Sequence, residues 1–98
     1  MRFEFINKDL RSLYTDEKNA HRYPPGLVDS FFDVIAIITN AANENDIRAL
    51  TSLHYEKLKG KREGQVSLRL NDQFRLIIQI IDETTGKKIQ IIEIVDYH

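Results

Sequence analysis

Residues 65–81 read QVSLRLNDQFRLIIQII, and this stretch decides the fold. Apolar side chains alternate with polar ones in each half of the stretch, which is the period of two that β-strands show. The connection at residues 71–73 is short, so the two strands are predicted to be antiparallel neighbours. Alternation places Arg69 and Arg75 on one face of this pair and the apolar side chains on the other.

Further elements are predicted on both sides of this hairpin. Residues 2–6 predict a short first strand, and Asn7 can cap the helix that follows. A second helix is indicated by apolar residues at spacings of three and four, namely Leu27, Phe31, Val34, Ile35, Ile38 and Ala42. Asn45 or Asp46 is expected to cap one more turn, and residues 55–58 and 89–95 read as strands. A connection over residues 82–88 should join the last two strands.

These elements predict an α+β fold. Two N-terminal helices pack on one face of a mostly antiparallel sheet of four to five strands, and the second face of the sheet stays open. A chain of 98 residues has room for one core, so we expect a single domain over residues 1–98. Hydrophobic residues at 42% and charged residues at 30% are typical of a folded chain and exclude the disordered class.

Composition also limits the chemistry and the location. The chain has no cysteine, which excludes disulfides and thiolate metal sites. The apolar stretch Val34–Ile38 is far shorter than the roughly 20 residues that a spanning helix needs. The first residues lack a signal-peptide pattern. We therefore expect a cytoplasmic protein with no membrane partner.

Charge is uneven along the chain, although the net charge is only −1. Residues 57–75 contain two acids and six bases, and the bases are Lys57, Lys59, Lys61, Arg62, Arg69 and Arg75. A local basic region of this kind can bind phosphates. The alternative is a solvated face whose cations pair with the protein's own acids. For Arg69 and Arg75 that alternative means salt bridges to acids on neighbouring strands, such as Glu93.

The last three residues, Asp96-Tyr97-His98, follow the apolar run at residues 89–95. An acid, a phenol and an imidazole directly after a buried strand are expected to be held against the body of the protein. Fixed positions are what catalytic groups require.

Several blocks of this sequence together resemble the HigB-type toxins of the RelE/ParE superfamily. The blocks are Leu58-Lys59-Gly60, Glu63-Gly64, Ser67-Leu68-Arg69-Leu70-Asn71, Phe74-Arg75-Leu76 and Asp96-Tyr97-His98. The resemblance implies a RelE-like fold and a toxin that cuts messenger RNA in the decoding site of the 70S ribosome. It also implies a cognate helix-turn-helix antitoxin of the HigA type, which alone would bring the toxin to operator DNA.

The resemblance further implies a reaction without metal or cofactor, in which the RNA 2′-hydroxyl attacks the adjacent phosphorus. His98 would transfer protons, because its reference pKa of about 6.5 lies near working pH. Asp96 would orient it or the substrate, and Tyr97 would stack on a base or bind a phosphate. Arg69 and Arg75 would stabilise the transition-state charge. Lys57, Lys59, Lys61 and Arg62 would bind RNA or the ribosome.

One position departs from the pattern that the resemblance implies. Related toxins often carry a histidine where this chain has Glu56, and His54 lies two residues earlier. In a strand, those two side chains would point to the same face. The general base therefore stays open among Glu56, His54 and His98.

Two other functions remain alternatives at this point. A ParE-like member of the superfamily would share the fold but inhibit DNA gyrase by binding. A weakened or decayed toxin would retain antitoxin binding and a part in autoregulation. The placed imidazole favours RNA cleavage over gyrase binding, whereas Glu56 and the low net charge favour the decayed toxin.

Overall fold

The computed structural model describes residues 1–96, so Tyr97 and His98 lie outside the described residues. The elements are β1 (Arg2–Phe5), α1 (Lys8–Asp16), α2 (Leu27–Asn40), α3 (Glu44–Arg48), β2 (Glu56–Lys57), β3 (Gln65–Arg69), β4 (Phe74–Glu83) and β5 (Gly86–Asp96). Short 3-10 turns occupy Ala20–Arg22, Thr51–Leu53 and Gly60–Arg62. No helix in this described part of the chain is long and apolar enough to cross a membrane.

Within residues 1–96, five strands form one sheet in the order β1-β5-β4-β3-β2. β1 runs parallel to β5, and the other neighbouring pairs are antiparallel. The core lies between this sheet and helices α1 and α2, where apolar residues of both layers are buried together. The predicted α+β fold with a mostly antiparallel sheet is therefore confirmed.

The predicted apolar stripe of α2 is confirmed except at its last member. Leu27, Phe31 and Ile38 are almost fully buried, but Ala42 is exposed. The helix ends at Asn40, and Ala41 takes an extended conformation that turns its own side chain into the core. The expectation for Ala42 is wrong because helical spacing does not continue past Asn40.

Side-chain caps begin two of the helices. The Asn7 side chain accepts hydrogen bonds from the backbone N–H groups of Asp9 (2.9 Å) and Leu10 (3.2 Å), which confirms its predicted role. For α3 the cap is Asn43, so the choice of Asn45 or Asp46 is wrong. Asp46 instead accepts a hydrogen bond from the N–H of Ala42 at 2.8 Å, while its own N–H donates to Oδ1 of the cap Asn43 at 3.2 Å.

The hairpin of β4 and β5 is longer than the sequence indicates. β4 extends to Glu83 and β5 starts at Gly86, so the connection is a two-residue turn rather than residues 82–88. Gly86 has φ +114°, a conformation that favours glycine. The ends of both strands are polar and exposed, and for that reason they lack the apolar alternation that marks a strand in sequence.

A β-bulge in β5 decides which side chains reach the second face of the sheet. Ile78 pairs with Ile91 and Ile77 pairs with Glu93, so Ile92 is an extra residue. Ile91 faces the helices, and without the bulge Glu93 would follow it into the core. The extra residue shifts the alternation by one, which places Glu93 on the face away from the helices.

Candidate functional site

The face of the sheet away from the helices is called here the open face. Its central residues are register partners across the strands, and they form three rows: Gln65-Gln79-Gln90, then Glu56-Ser67-Ile77-Glu93, then Arg69-Arg75-Val95. Register partners share a face because cross-strand neighbours point the same way. The open face is therefore mainly polar, with amides in one row and guanidinium groups in another.

Arg69 and Arg75 lie directly opposite each other on β3 and β4. Their predicted placement on one face is thus confirmed. Arg69 forms an ion pair with Asp72 in the turn that follows its own strand. Glu93, considered above as a partner for these arginines, is instead bound to Arg62 at 2.5 Å. The fixed fork of a guanidinium suits two oxygens of a phosphate.

Arg62 crosses the open face. Its Nη1 donates to Oε1 of Gln65 on β3 at 2.9 Å, and its Nη2 donates to Oε1 of Glu93 on β5. Since β4 lies between those two strands, the guanidinium lies over β4. Two open-face residues in the middle row, Ser67 and Ile77, are 3% and 2% exposed. The face that the sequence predicts to be open is therefore covered at its centre.

Glu56 and His54 occupy different kinds of backbone. Glu56 is in β2 and pairs with Ser67, so it belongs to the middle row of the open face and is exposed. His54 precedes the strand and follows a 3-10 turn, with φ +45°. The assumption that both residues share a strand face is wrong, because the chain turns at His54.

The basic residues of region 57–75 do not form one surface. Lys57 pairs with Val66, which belongs to the core side, so Lys57 points away from Arg69 and Arg75. Lys57 and Lys59 line a cavity of about 400 Å³ beside the β2 edge. Arg62, Arg69 and Arg75 belong to the open face instead. Two groups of cations on opposite sides can thus contact two different partners.

A polar cluster holds the start of β2 against α3. The Tyr55 hydroxyl donates to Oε2 of Glu44 at 2.6 Å, and Arg48 donates to the same oxygen at 3.0 Å. The Arg48 guanidinium also lies 4.8 Å from the centre of the Tyr55 ring. The hydrogen bond from Tyr55 lowers the pKa of Glu44, while burial, followed by this bond, raises the pKa of Tyr55. This cluster positions the residue before Glu56, and no spacing motif in the sequence indicates it.

The described end of the predicted tail is Asp96. It pairs with Phe74 and accepts a hydrogen bond from the Gln73 side chain at 3.1 Å. Asp96 therefore lies at the end of the sheet that carries Arg75. Its register partner Phe74 packs against the core, so Asp96 belongs to the helix side of the sheet and Arg75 to the open face. The roles predicted for Tyr97 and His98 fall outside the described residues.

The opposite end of the open face carries a closed ionic network. Arg2 binds Glu83 at 2.8 Å, and Lys88 binds both Glu83 at 2.9 Å and Glu4 at 3.3 Å. The bond from Gln90, together with that from Lys88, lowers the pKa of Glu4. Acids therefore pair with the cations at this end of the face.

Comparison with solved structures defines the class of fold. YafQ from Escherichia coli superimposes with a TM-score of 0.61 over 98% of this chain and 93% of its own, at 12% identity. The YoeB-YefM complex from Staphylococcus aureus contains a chain that matches with a TM-score of 0.51 over 100% of this chain and 97% of its own, at 19% identity. These similarities show a shared fold.

Sequence comparison then identifies the family. Residues 3–98 match the family model described as the RelE-like toxin of the type II toxin-antitoxin system HigB. Toxin HigB-1 of Vibrio cholerae is 34% identical over 82 residues, which cover 84% of this chain and 86% of the relative. The chain therefore belongs to the HigB-like toxins of type II toxin-antitoxin systems, as the sequence blocks predicted.

Proposed function

We propose that this toxin is a ribosome-dependent endoribonuclease that cuts messenger RNA in the decoding site and thereby inhibits translation in the cytoplasm. The observation that carries this proposal is the pairing of Arg69 with Arg75 on the open face of a rigid sheet. Two adjacent guanidinium groups can bind the non-bridging oxygens of one phosphodiester and stabilise the charge that develops on them. Removing one such donor typically lowers the rate by about 10²–10³-fold.

The proposed reaction uses the RNA's own 2′-hydroxyl and needs no metal. The 2′-oxygen bonds to phosphorus, the bond to the 5′-oxygen breaks, and a 2′,3′-cyclic phosphate and a 5′-hydroxyl remain. His98 is proposed to transfer a proton and Tyr97 to contact a base or phosphate. Asp96, at the Arg75 end of the sheet, is proposed to orient His98 or the substrate.

Glu56 is the favoured partner of His98 for the second proton transfer. It belongs to the open face, one row away from Arg69 and Arg75, whereas His54 lies outside the strand. Proton transfer needs groups within hydrogen-bond reach of the reacting oxygens. His54 is therefore the least favoured of the three candidate proton-transfer groups. Comparing Glu56→Gln with His54→Gln distinguishes Glu56 from His54, because the variant with the larger loss of maximal rate identifies the base.

A type II toxin works with an antitoxin, and we propose a helix-turn-helix antitoxin of the HigA type. Operator DNA would then be reached only through that antitoxin. The exposed cations Lys57, Lys59 and Lys61 are proposed to contact ribosomal RNA of the 70S ribosome. The toxin must contact the messenger RNA and the ribosome at the same time. The presence of cations on both sides of the sheet supports this proposal, because each side can then contact one of the two partners.

Gyrase inhibition is not favoured, because both the family model and the curated relative are HigB toxins. An attenuated toxin remains the second candidate, since Glu56 stands where the resemblance implies a histidine. Restoring that residue with Glu56→His distinguishes the two. A large gain in cutting would identify an attenuated toxin, and an unchanged or lower rate would identify a site adapted to Glu56.

The proposal is tested by inducing this chain in a bacterium, alone and as His98→Ala, while 5′ ends of messenger RNA are mapped genome-wide. New ends inside translated codons should appear with the wild-type chain and disappear with the variant. Soluble, abundant wild-type protein without new ends would refute the endonuclease proposal. Supercoiling measured in the same cultures checks the gyrase alternative.

A further inference from the structure

We infer that Arg62 forms a second phosphate-binding position on the open face, which holds the RNA phosphodiester next to the one that is cut. Glu93 and Gln65 are the positioning residues that hold its guanidinium there. This inference rests on the proposed function, because it names a contact of the same RNA substrate. Arg62 was predicted above to bind RNA or the ribosome, and the inference assigns it to the messenger RNA.

The position of the guanidinium follows from its two acceptors. Gln65 and Glu93 belong to strands that are separated by β4, so their backbones are about 10 Å apart. A guanidinium that bonds to both must lie between them, above Ile77 and Gln79. The burial of Ile77, at 2% exposure on a face without helices, agrees with this cover. Arg62 itself keeps 41% of its side chain exposed, so a ligand can reach it.

The distance from the cutting site fits one nucleotide step. Arg69 and Arg75 form one row, and Ile77 with Glu93 forms the next, two residues further along the strand. Two residues of a strand span about 7 Å. Adjacent phosphates of an extended single strand are separated by a similar length. An RNA strand that places one phosphate on the arginine pair therefore brings its neighbour to Arg62.

Arg62 can bind a phosphate without leaving its present partners. A guanidinium has five N–H donors, and the two bonds to Gln65 and Glu93 use two of them. The remaining donors are available for phosphate oxygens. Because the side chain is already fixed at both ends, it loses little conformational entropy on binding. Glu93 thus acts through Arg62 and contacts no reacting atom.

The loop that carries Arg62 is shaped to bring it over the sheet. The 3-10 turn Gly60–Arg62 begins with Gly60 (φ +68°), and Gly64 (φ +90°) lies two residues after it; both glycines have left-handed backbone conformations. This return of the chain places Arg62 on the open face, whereas Lys57, before the loop, points to the other side. The loop therefore separates an RNA-facing cation from the outward ones.

The test uses ribosomes that carry synthetic messenger RNA with a single phosphodiester replaced by an uncharged methylphosphonate. In the wild-type toxin, neutralising the linkage next to the cut should raise the toxin concentration for half-maximal rate about tenfold, the value of one charge-assisted contact. In Arg62→Ala, the same replacement should cause no further loss. Arg2→Ala is the matched control: its ion pair with Glu83 lies at the far end of the same face, and the replacement should still cost tenfold.

Glu93→Gln tests the positioning role. It preserves the shape of the side chain but loosens Arg62, so the penalty for the neutral linkage should fall below about threefold. The inference would be overturned if the loss caused by the neutral linkage and the loss caused by Arg62→Ala multiply at every linkage tested. The two changes would then act independently. If wild-type toxin fails to cut the unmodified messenger RNA at all, the proposed function itself is refuted, which is a distinct result. Thermal unfolding of each variant confirms that it is folded.

Discussion

Tyr55→Phe tests the cluster that holds β2 against α3. The substitution removes one hydroxyl, which donates to the Glu44 carboxylate at 2.6 Å, and leaves the ring under Arg48 in place. A hydrogen bond to a charged group contributes about 1.5–3 kcal/mol. The Glu44 side chain is 21% exposed and keeps its bonds to Arg48 and Lys87, so it is not left unsatisfied. The expected loss is therefore smaller than this range, about 1–1.5 kcal/mol.

Urea unfolding followed by circular dichroism measures this loss at pH 7. For a domain of this size, a change of 1 kcal/mol lowers Tm by about 4–8 °C. The matched control is Tyr14→Phe: the Tyr14 ring stacks on Phe32, and its hydroxyl makes no hydrogen bond within residues 1–96. That variant should stay within about 0.5 kcal/mol of wild type.

The stability cost of Tyr55→Phe is also expected to depend on pH. The hydrogen bond from Tyr55 lowers the pKa of folded Glu44 below its ordinary value of 4.5. A lowered carboxyl pKa contributes stability that is complete above the unfolded pKa and is lost as pH falls through the folded pKa. The cost of Tyr55→Phe should therefore be constant from pH 6 to 8 and shrink below about pH 4. An equal cost at pH 3, or a cost of Tyr14→Phe as large as that of Tyr55→Phe, would refute the reasoning.

Three further predictions address the core, the bulge and the arginine pair. Phe31→Ala should cost about 3–5 kcal/mol in urea unfolding, because the ring is fully buried between α2 and the sheet; a loss below 1 kcal/mol would contradict this packing. Deletion of Ile92 should leave the protein folded with cooperative unfolding, since it removes the extra residue and lets Glu93 follow Ile91 on the opposite face by ordinary alternation, still paired with Ile77; loss of cooperative unfolding would show that the bulge itself is required. Arg75→Lys should lower the maximal rate of cutting about 10²-fold, because the ammonium keeps the charge but loses the two-pronged contact; a wild-type rate would mean that charge alone suffices.

Local patterns explain which parts of the fold could be predicted. The period of two in residues 65–81 determines both strands and the common face of Arg69 and Arg75. Asn7 directly precedes a helical stripe, so its cap could be predicted as well. Such features depend on residues a few positions apart, and the sequence displays them directly.

The contacts that could not be predicted join residues far apart or depend on register. Arg62 and Glu93 are 31 positions apart, and nothing local indicates that they meet. The bulge at Ile92 is hidden because isoleucines occupy both neighbouring positions before Glu93. Since the bulge decides the face that Glu93 occupies, the composition of the open face could be predicted only where no bulge intervenes.

The most direct test of the central claim is a reconstituted cleavage assay that identifies the ends of the product. Purified toxin is mixed with a defined messenger RNA, either free or bound to 70S ribosomes, and the 3′ ends are analysed by mass spectrometry. Cleavage only on the ribosome, inside the codon in the decoding site, with a 2′,3′-cyclic phosphate that disappears in His98→Ala, is the predicted result. A 3′-hydroxyl product, equal cutting of free RNA, or no cutting by folded wild-type toxin would contradict the account.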